Sequence, residues 1–374
     1  MQRIHGMIGA AQETLREVQP SSEETGCRAL TGDELRQAKR SYVTGRFDLG
    51  RAACLLTGAA TPKAGDLMLA RVARIGHHRK LESPEGRRQA LFVDDLILLC
   101  YGARYASDQF EALLPDSLES CNLVAAGGIA AICTGKHSGA RKPTEIEPLG
   151  LVADAQGRVL NLSRVAETRS KPGVQRPFAL AVVGTAMNAG KTTTVAAMIR
   201  GLARNGLKVG AAKITGTGAG CDRWAMVDAG AAAVLDFTDF GHASTYLVPV
   251  AETASILEAA VAALGREGCD VVVVELADGL LFPETAELVE NSSFTRLISG
   301  MILAAGDSMS AGYGAHWLAS RKLPLLALAG KLTSSPLMVR EAEAACDIPV
   351  VALEEFESGA WTQRVAYDGK RDAA

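Results

Sequence analysis

Residues 179–194, ALAVVGTAMNAGKTTT, constrain this chain more than any other stretch. A short apolar run ends at Gly184, a loop of small residues follows, and Gly190-Lys191-Thr192 opens a segment with helical periodicity. Strand, tight loop and helix start in that order make a cradle for phosphate. The first N–H groups of a helix have no intrahelical partner, and the helix dipole puts partial positive charge on the same spot. Glycine lets backbone approach the oxygens, lysine adds a point charge for the outer phosphates, and a threonine hydroxyl can ligate Mg²⁺. The residues assigned to nucleotide here are Gly184, Thr185, Asn188, Ala189, Gly190, Lys191, Thr192 and Thr193. The bland alternative is a glycine-rich turn capping an ordinary helix.

After Phe178 the pattern alternates between strand and helix. Strands are expected at 179–184, 207–213, 234–238, 245–248, 270–275, 299–305, 324–329 and 348–352, and helices at 191–204, 223–232, 252–266, 309–320 and 333–345. Nearly continuous apolar strands such as VVVV at 271–274 are buried on both faces, as in a parallel sheet. Val195, Met198, Ile199 and Leu202 recur at helical spacing and belong to a core. The reading is an α/β, doubly wound, mostly parallel sheet of the P-loop NTPase kind over 178–374. In such sheets ligands sit at the carboxyl ends of the strands.

With 374 residues, two domains are expected. Residues 1–60 read as a partly helical N-terminal segment, with Thr31 as a cap and a helix from Asp33 to Arg46. Residues 61–163 show short runs with turn signals every ten residues or so, the texture of a small antiparallel barrel or sandwich. His77-His78 lacks acidic or thiol partners at ligand spacing, so a loop pair is preferred to a metal site. Arg104, Tyr105 and Gln109, with Gly127-Gly128 and Lys136-His137, either line a substrate cleft or serve as turns and an oligomer contact. Residues 164–177, polar with two prolines, read as a linker.

Other strand ends carry groups suited to the loop. The second strand of the α/β part ends in Lys213, and an ammonium ending a buried strand must reach water or an anion. Asp222, after a glycine-rich loop, is either a ligand or the N-cap of the next helix. Glu275 follows four valines, where an acid can hold Mg²⁺ beside a phosphate loop; Asp278 is a weaker second carboxylate.

Three features in order, GTAMNAGKTTT at 184–194, Lys213 and VVVE at 272–275, resemble dethiobiotin synthetase and its relatives among the P-loop ATPases, over about 178–353. The resemblance implies ATP and Mg²⁺ as cofactors, Lys191 and Lys213 as catalytic lysines, and Thr192, Asp222 and Glu275 as the metal site. It also implies a homodimer. The chain departs from that family in Glu-Leu-Ala-Asp-Gly after the strand, and residues 1–170 have no counterpart there. Gly330-Lys331 follows a late strand, where related folds grip the base, and it is not the Asn-Lys-x-Asp that selects guanine. Ser308, Ser310, Tyr313 and His316 follow another strand end and are candidates for substrate contact, although for His316, beside Trp317 on a helix, a packed surface histidine is the preferred reading.

The expected activity is ATP- and Mg²⁺-dependent phosphorylation of a small carboxylate or carbamate, then transfer to an amine or other nucleophile. The competing class is a nucleotide-hydrolysing switch that serves cofactor or metal delivery to a partner protein. A net charge of −3 argues against a nucleic-acid or polybasic membrane surface. Eight scattered cysteines without a Cys-x-x-Cys pair suit reduced thiols, and the expected location is cytoplasmic.

Overall fold

The computed structural model describes residues 26–166 and 176–361. Most of the expected linker, and the ends of the chain, lie outside these. The first body is built on a ring of five strands. Leu67–Arg74 pairs with Leu96–Tyr101 and with Thr144–Ala153; Ile129–Lys136 pairs with Leu96–Tyr101; Cys121–Ala125 joins Ile129–Lys136 to Thr144–Ala153 and closes the ring. Period-two alternation divides the side chains between two cores. Met68, Ala70, Val72, Ile97, Leu99 and Tyr101 fall in one apolar cluster, and Leu67, Leu69, Leu98 and Cys100 in another. Closure leaves few free edges, which is the advantage of a barrel over an open sheet of this size.

Residues 26–57, read in the sequence as part of a separate segment, contribute to this body. Cys54–Thr57 pairs with Thr144–Ala153, and Gly26–Ala29 pairs with Cys54–Thr57. Thr31 does cap a helix, in a reciprocal arrangement with Glu34, but that helix is Gly32–Gln37 and stops well short of Arg46. Lys39–Arg40 instead pairs with Leu96–Tyr101, and Tyr42 and Val43 are fully buried. Burial of those apolar side chains overrides helix propensity.

The second body has a six-stranded, all-parallel sheet. Its elements are β1 (Phe178–Gly184), α1 (Lys191–Arg204), β2 (Val209–Lys213), α2 (Gly220–Asp228), β3 (Ala233–Asp236), α3 (Val250–Arg266), β4 (Val271–Glu275), α4 (Pro283–Glu290), α5 (Ser292–Leu297), β5 (Gly300–Ala304), α6 (Ser308–Ser320), β6 (Leu325–Ala329), α7 (Pro336–Ala345) and α8 (Leu353–Ser358). The strand order is β3-β2-β4-β1-β5-β6. The phosphate-loop strand is therefore flanked by β4, which ends in Glu275, and β5. Two apolar clusters cover the two faces, and Val195, Met198, Ile199 and Leu202 lie in the one beneath α1.

Two expected strands do not form. Residues 245–248 make a turn after the single bridge Thr217–Ser244, with Leu247 at φ 64° and Pro249 next along. Residues 348–352 contribute only the bridge Leu328–Val350, because Pro349 has no N–H to give to a ladder.

Candidate functional site

The loop between β1 and α1 wraps on itself through three backbone constraints. Asn188 and Gly190 take left-handed conformations, at φ 63° and 105°. A Cβ on Gly190 would stand 2.9 Å from the Gly330 Cα, so the loop packs directly on the backbone after β6. The Lys331 N–H donates to the Ala189 carbonyl at 2.9 Å, which holds Gly330-Lys331 beside the loop. A Cβ on Gly184 would meet the Lys191 side chain at 2.8 Å, so glycine there leaves room for that lysine to fold back over the strand end. Its ammonium donates to the carbonyls of Ala186 (2.9 Å) and Asp278 (2.6 Å). Burial lowers its pKa.

The residues expected to form the metal site converge from three elements. The Thr192 hydroxyl, in the first turn of α1, is 3.0 Å from Glu275 Oε1 and 3.2 Å from Asp222 Oδ1. Asp222 also pairs with the Lys213 ammonium at the end of β2. It is not the N-cap of α2, which is Ala219. Glu275 is buried, and its Oε2 has no hydrogen-bond partner among the described residues. Burial raises the pKa of Glu275 and of Asp278. Burial also opposes charge on Lys213, but Asp222 and Glu275 outweigh it and raise the pKa; burial acts upward on Asp222, where Lys213 outweighs it and lowers the pKa. An orphaned buried carboxylate oxygen beside another carboxylate and a hydroxyl is a hard-oxygen donor set suited to Mg²⁺. Among the described residues no group of three or more His, Cys, Asp or Glu gathers as a metal site, His77-His78 included.

These groups line a cavity of about 640 Å³ that the barrel body roofs. Its wall includes Asn188, Gly190, Lys191, Thr192, Thr193, Lys213, Asp222, Glu275, Gly330 and Lys331 on one side, and Arg104, Tyr105, Asp108 and Gln109 on the other. Asp108 accepts a 3.0 Å hydrogen bond from Asn188 across the gap. Thr185 lines a neighbouring cavity of about 730 Å³, shared with Tyr105, Met187, Tyr246, Asp278 and Phe282. Tyr105 stacks on Phe282 between the two, with ring centroids 4.3 Å apart. Gly184 and Ala189 shape the loop from within it. Strand β1, phosphate loop, helix α1 and the acid at the end of the adjacent strand are all in register. The second body has a P-loop NTPase fold.

No protein-family model matches the sequence, and a search of curated proteins finds no match. Among solved structures, the chain is similar to the signal recognition particle receptor FtsY from Elizabethkingia anophelis, with 19% identity, 52% of this chain and 68% of that one covered, and a TM-score of 0.34. It is similar to the cell division protein FtsY from Thermotoga maritima (18%, 50% and 66%, TM-score 0.34). It is also similar to the 54 kDa signal recognition particle protein from Aeropyrum pernix in complex with GDP (18%, 57% and 52%, TM-score 0.37). The chain spans about two thirds of the length of the FtsY structures it matches, and strand order and loop geometry define its fold.

Four candidates for substrate contact lie away from these cavities. Ser308 bonds Glu341, Ser310 bonds Asp307, and Tyr313 and His316 are exposed; none of the four lines either cavity. The residues that sequence patterning could not place are those of the barrel body. Arg104 and Gln109 stood in a polar loop with nothing in the sequence to say which loop would face the sheet.

Proposed function

We propose that this chain binds a nucleoside triphosphate with Mg²⁺ and transfers its terminal phosphoryl group to a small carboxylate held between the two bodies. The observation that carries this is the Thr192 hydroxyl within hydrogen-bond reach of both Asp222 and Glu275, in the first turn of the helix that follows the phosphate loop. Thr192, Asp222 and Glu275 would hold the metal. Mg²⁺ would neutralise charge on the phosphate oxygens. Lys191 exchanges two backbone carbonyls for phosphate oxygens, and Lys213, fixed by Asp222, presents charge from the end of β2. The barrel roof supports a reacting acceptor sheltered from water. ATP is the proposed nucleotide, since residues 330–333, Gly-Lys-Leu-Thr, offer no carboxylate for the guanine edge. The resemblance to dethiobiotin synthetase adds the acyl-phosphate outcome and a homodimer.

A nucleotide-hydrolysing switch is the second reading. It is favoured by Leu247 and Leu281, 59% and 67% exposed at the second cavity, which a protein partner would cover. The test is ADP and GDP release from the purified chain with panels of small acids and amines. Stimulation by an acid supports the synthetase reading. Turnover indifferent to every small molecule and raised only by a protein partner would replace it with the switch.

A further inference from the structure

Arg104 begins a two-residue strand, Arg104–Tyr105, of the barrel body and is 6% exposed. It lines the same cavity as Lys191, Lys213 and Thr192. Its hydrogen-bonding partners are neutral. Nη2 donates to Gln109 Oε1 at 2.9 Å, and Nη1 lies 3.1 Å from His78 Nε2. That imidazole nitrogen also lies 2.8 Å from the Val124 carbonyl, so a neutral ring cannot satisfy both neighbours at once. The Arg104 Nε has no partner among the described residues. Asp108 and Asp278 are the carboxylates that act on it, Asp108 accepts from Asn188, and no described carboxylate lies within ion-pair distance of Arg104. Burial disfavours the guanidinium charge, and Asp108 and Asp278 offset it only in part.

A buried charge without a counter-charge is costly, and truncating or pairing it are the two remedies. A guanidinium presents donors in a planar fork that matches a carboxylate or a phosphoryl group. The phosphate-loop residues Asn188, Gly190 and Lys191 line the same cavity.

We propose that Arg104 is an anion-binding residue supplied by the barrel body to the NTPase site, where it grips the oxyanion at the reacting end of the nucleotide: the terminal phosphoryl group, or the carboxylate that meets it. This rests on the nucleotide reading above. The barrel body then completes the site.

The experiment compares wild type with Arg104→Gln and Arg104→Lys for affinity toward Mg-ADP, toward Mg-ADP with aluminium fluoride, and toward acetate in the presence of Mg-ADP, alongside melting of the apo protein. Mg-ADP affinity is expected to stay within about twofold, because Arg104 faces the reacting end of the nucleotide. In Arg104→Gln, aluminium fluoride trapping should weaken about a hundredfold if the phosphoryl group is the ligand. Acetate binding should be the one to weaken if the ligand is the carboxylate. Arg104→Lys should retain part of either. The apo variants should melt no lower than wild type, since an unpaired buried charge has been removed or made more flexible. Wild-type protein that binds neither ADP nor GDP would overturn the nucleotide reading and this one with it. Normal ADP binding together with unchanged trapping and unchanged acetate affinity in Arg104→Gln would overturn this inference alone, as would a variant that loses all three with a collapsed melting point.

Discussion

Lys191 is held by two backbone carbonyls, and a phosphate oxygen is a better partner than either because it carries charge. Lys191→Ala should therefore cost turnover roughly a hundredfold or more, while the apo protein melts no lower, since the ammonium is buried at a net cost; phosphate release and a melting curve together check this. Behind Arg104, burial and that guanidinium push the His78 pKa down to about 3 from an ordinary 6.5. Between those values the unfolded chain takes up a proton that the native ring refuses. His78 thus costs the fold nothing above the ordinary value, and stability is lost as pH falls below it. The slope is at most about 1.4 kcal/mol per pH unit. His78→Gln should flatten that slope relative to wild type, as read from denaturant midpoints across mildly acid pH; equal slopes in the two proteins would refute it.

At the scale of elements, the phosphate loop works because one of its turns sits against the backbone that follows β6. Gly190 at φ 105°, with Gly330 pressed against the space where its Cβ would be, leaves no room for a side chain. Gly190→Ala is expected to destabilise the fold by more than about 1 kcal/mol, from left-handed strain before any contact is counted. It should also weaken nucleotide binding, because the loop N–H groups would no longer converge. Calorimetric unfolding and nucleotide titration test the two halves separately. The same packing explains why Gly330-Lys331 lies at the site without any guanine-selecting motif: the Lys331 N–H is spent on the Ala189 carbonyl.

At the scale of the whole molecule, the two bodies share polar and apolar contacts. The Tyr42 hydroxyl donates to Asp236 at 2.5 Å, Arg46 donates to Asp239 at 3.1 Å, and Glu82 accepts from the Gly220 N–H at the start of α2 at 2.8 Å. A Cβ on Gly127 would stand 1.7 Å from the Gly218 carbonyl, and Ala243 is part of a barrel-side apolar cluster. With buried contacts crossing in both directions, the chain should unfold in one transition, and Mg-nucleotide at a hundredfold over its Kd should raise that single transition by about 2.7 kcal/mol. Chelating the metal should withdraw most of this gain. Two separate melting steps, only one of them shifted by nucleotide, would show instead that the bodies are energetically independent.

The phosphate loop was legible from sequence because its requirements are local. Glycine, lysine and threonine at set spacing, an apolar run before and a helical repeat after are consequences of backbone geometry within sixteen residues. Lys213, Asp222 and Glu275 could be nominated because a doubly wound sheet aligns its strand ends, so position in a strand stands in for position in space. Residues 245–248 and 348–352 read as strands because short apolar runs look alike, whereas Leu247 at φ 64° and Pro349 without a ladder donor decide against both. That Ala219 rather than Asp222 caps α2, and that residues 26–57 join the barrel, depends on packing. Above all, only tertiary structure brought Arg104, Asp108 and Gln109 over the phosphate loop. Nothing in a polar loop eighty residues upstream encodes its partner; that follows from how two separately built cores bury their remaining faces against each other.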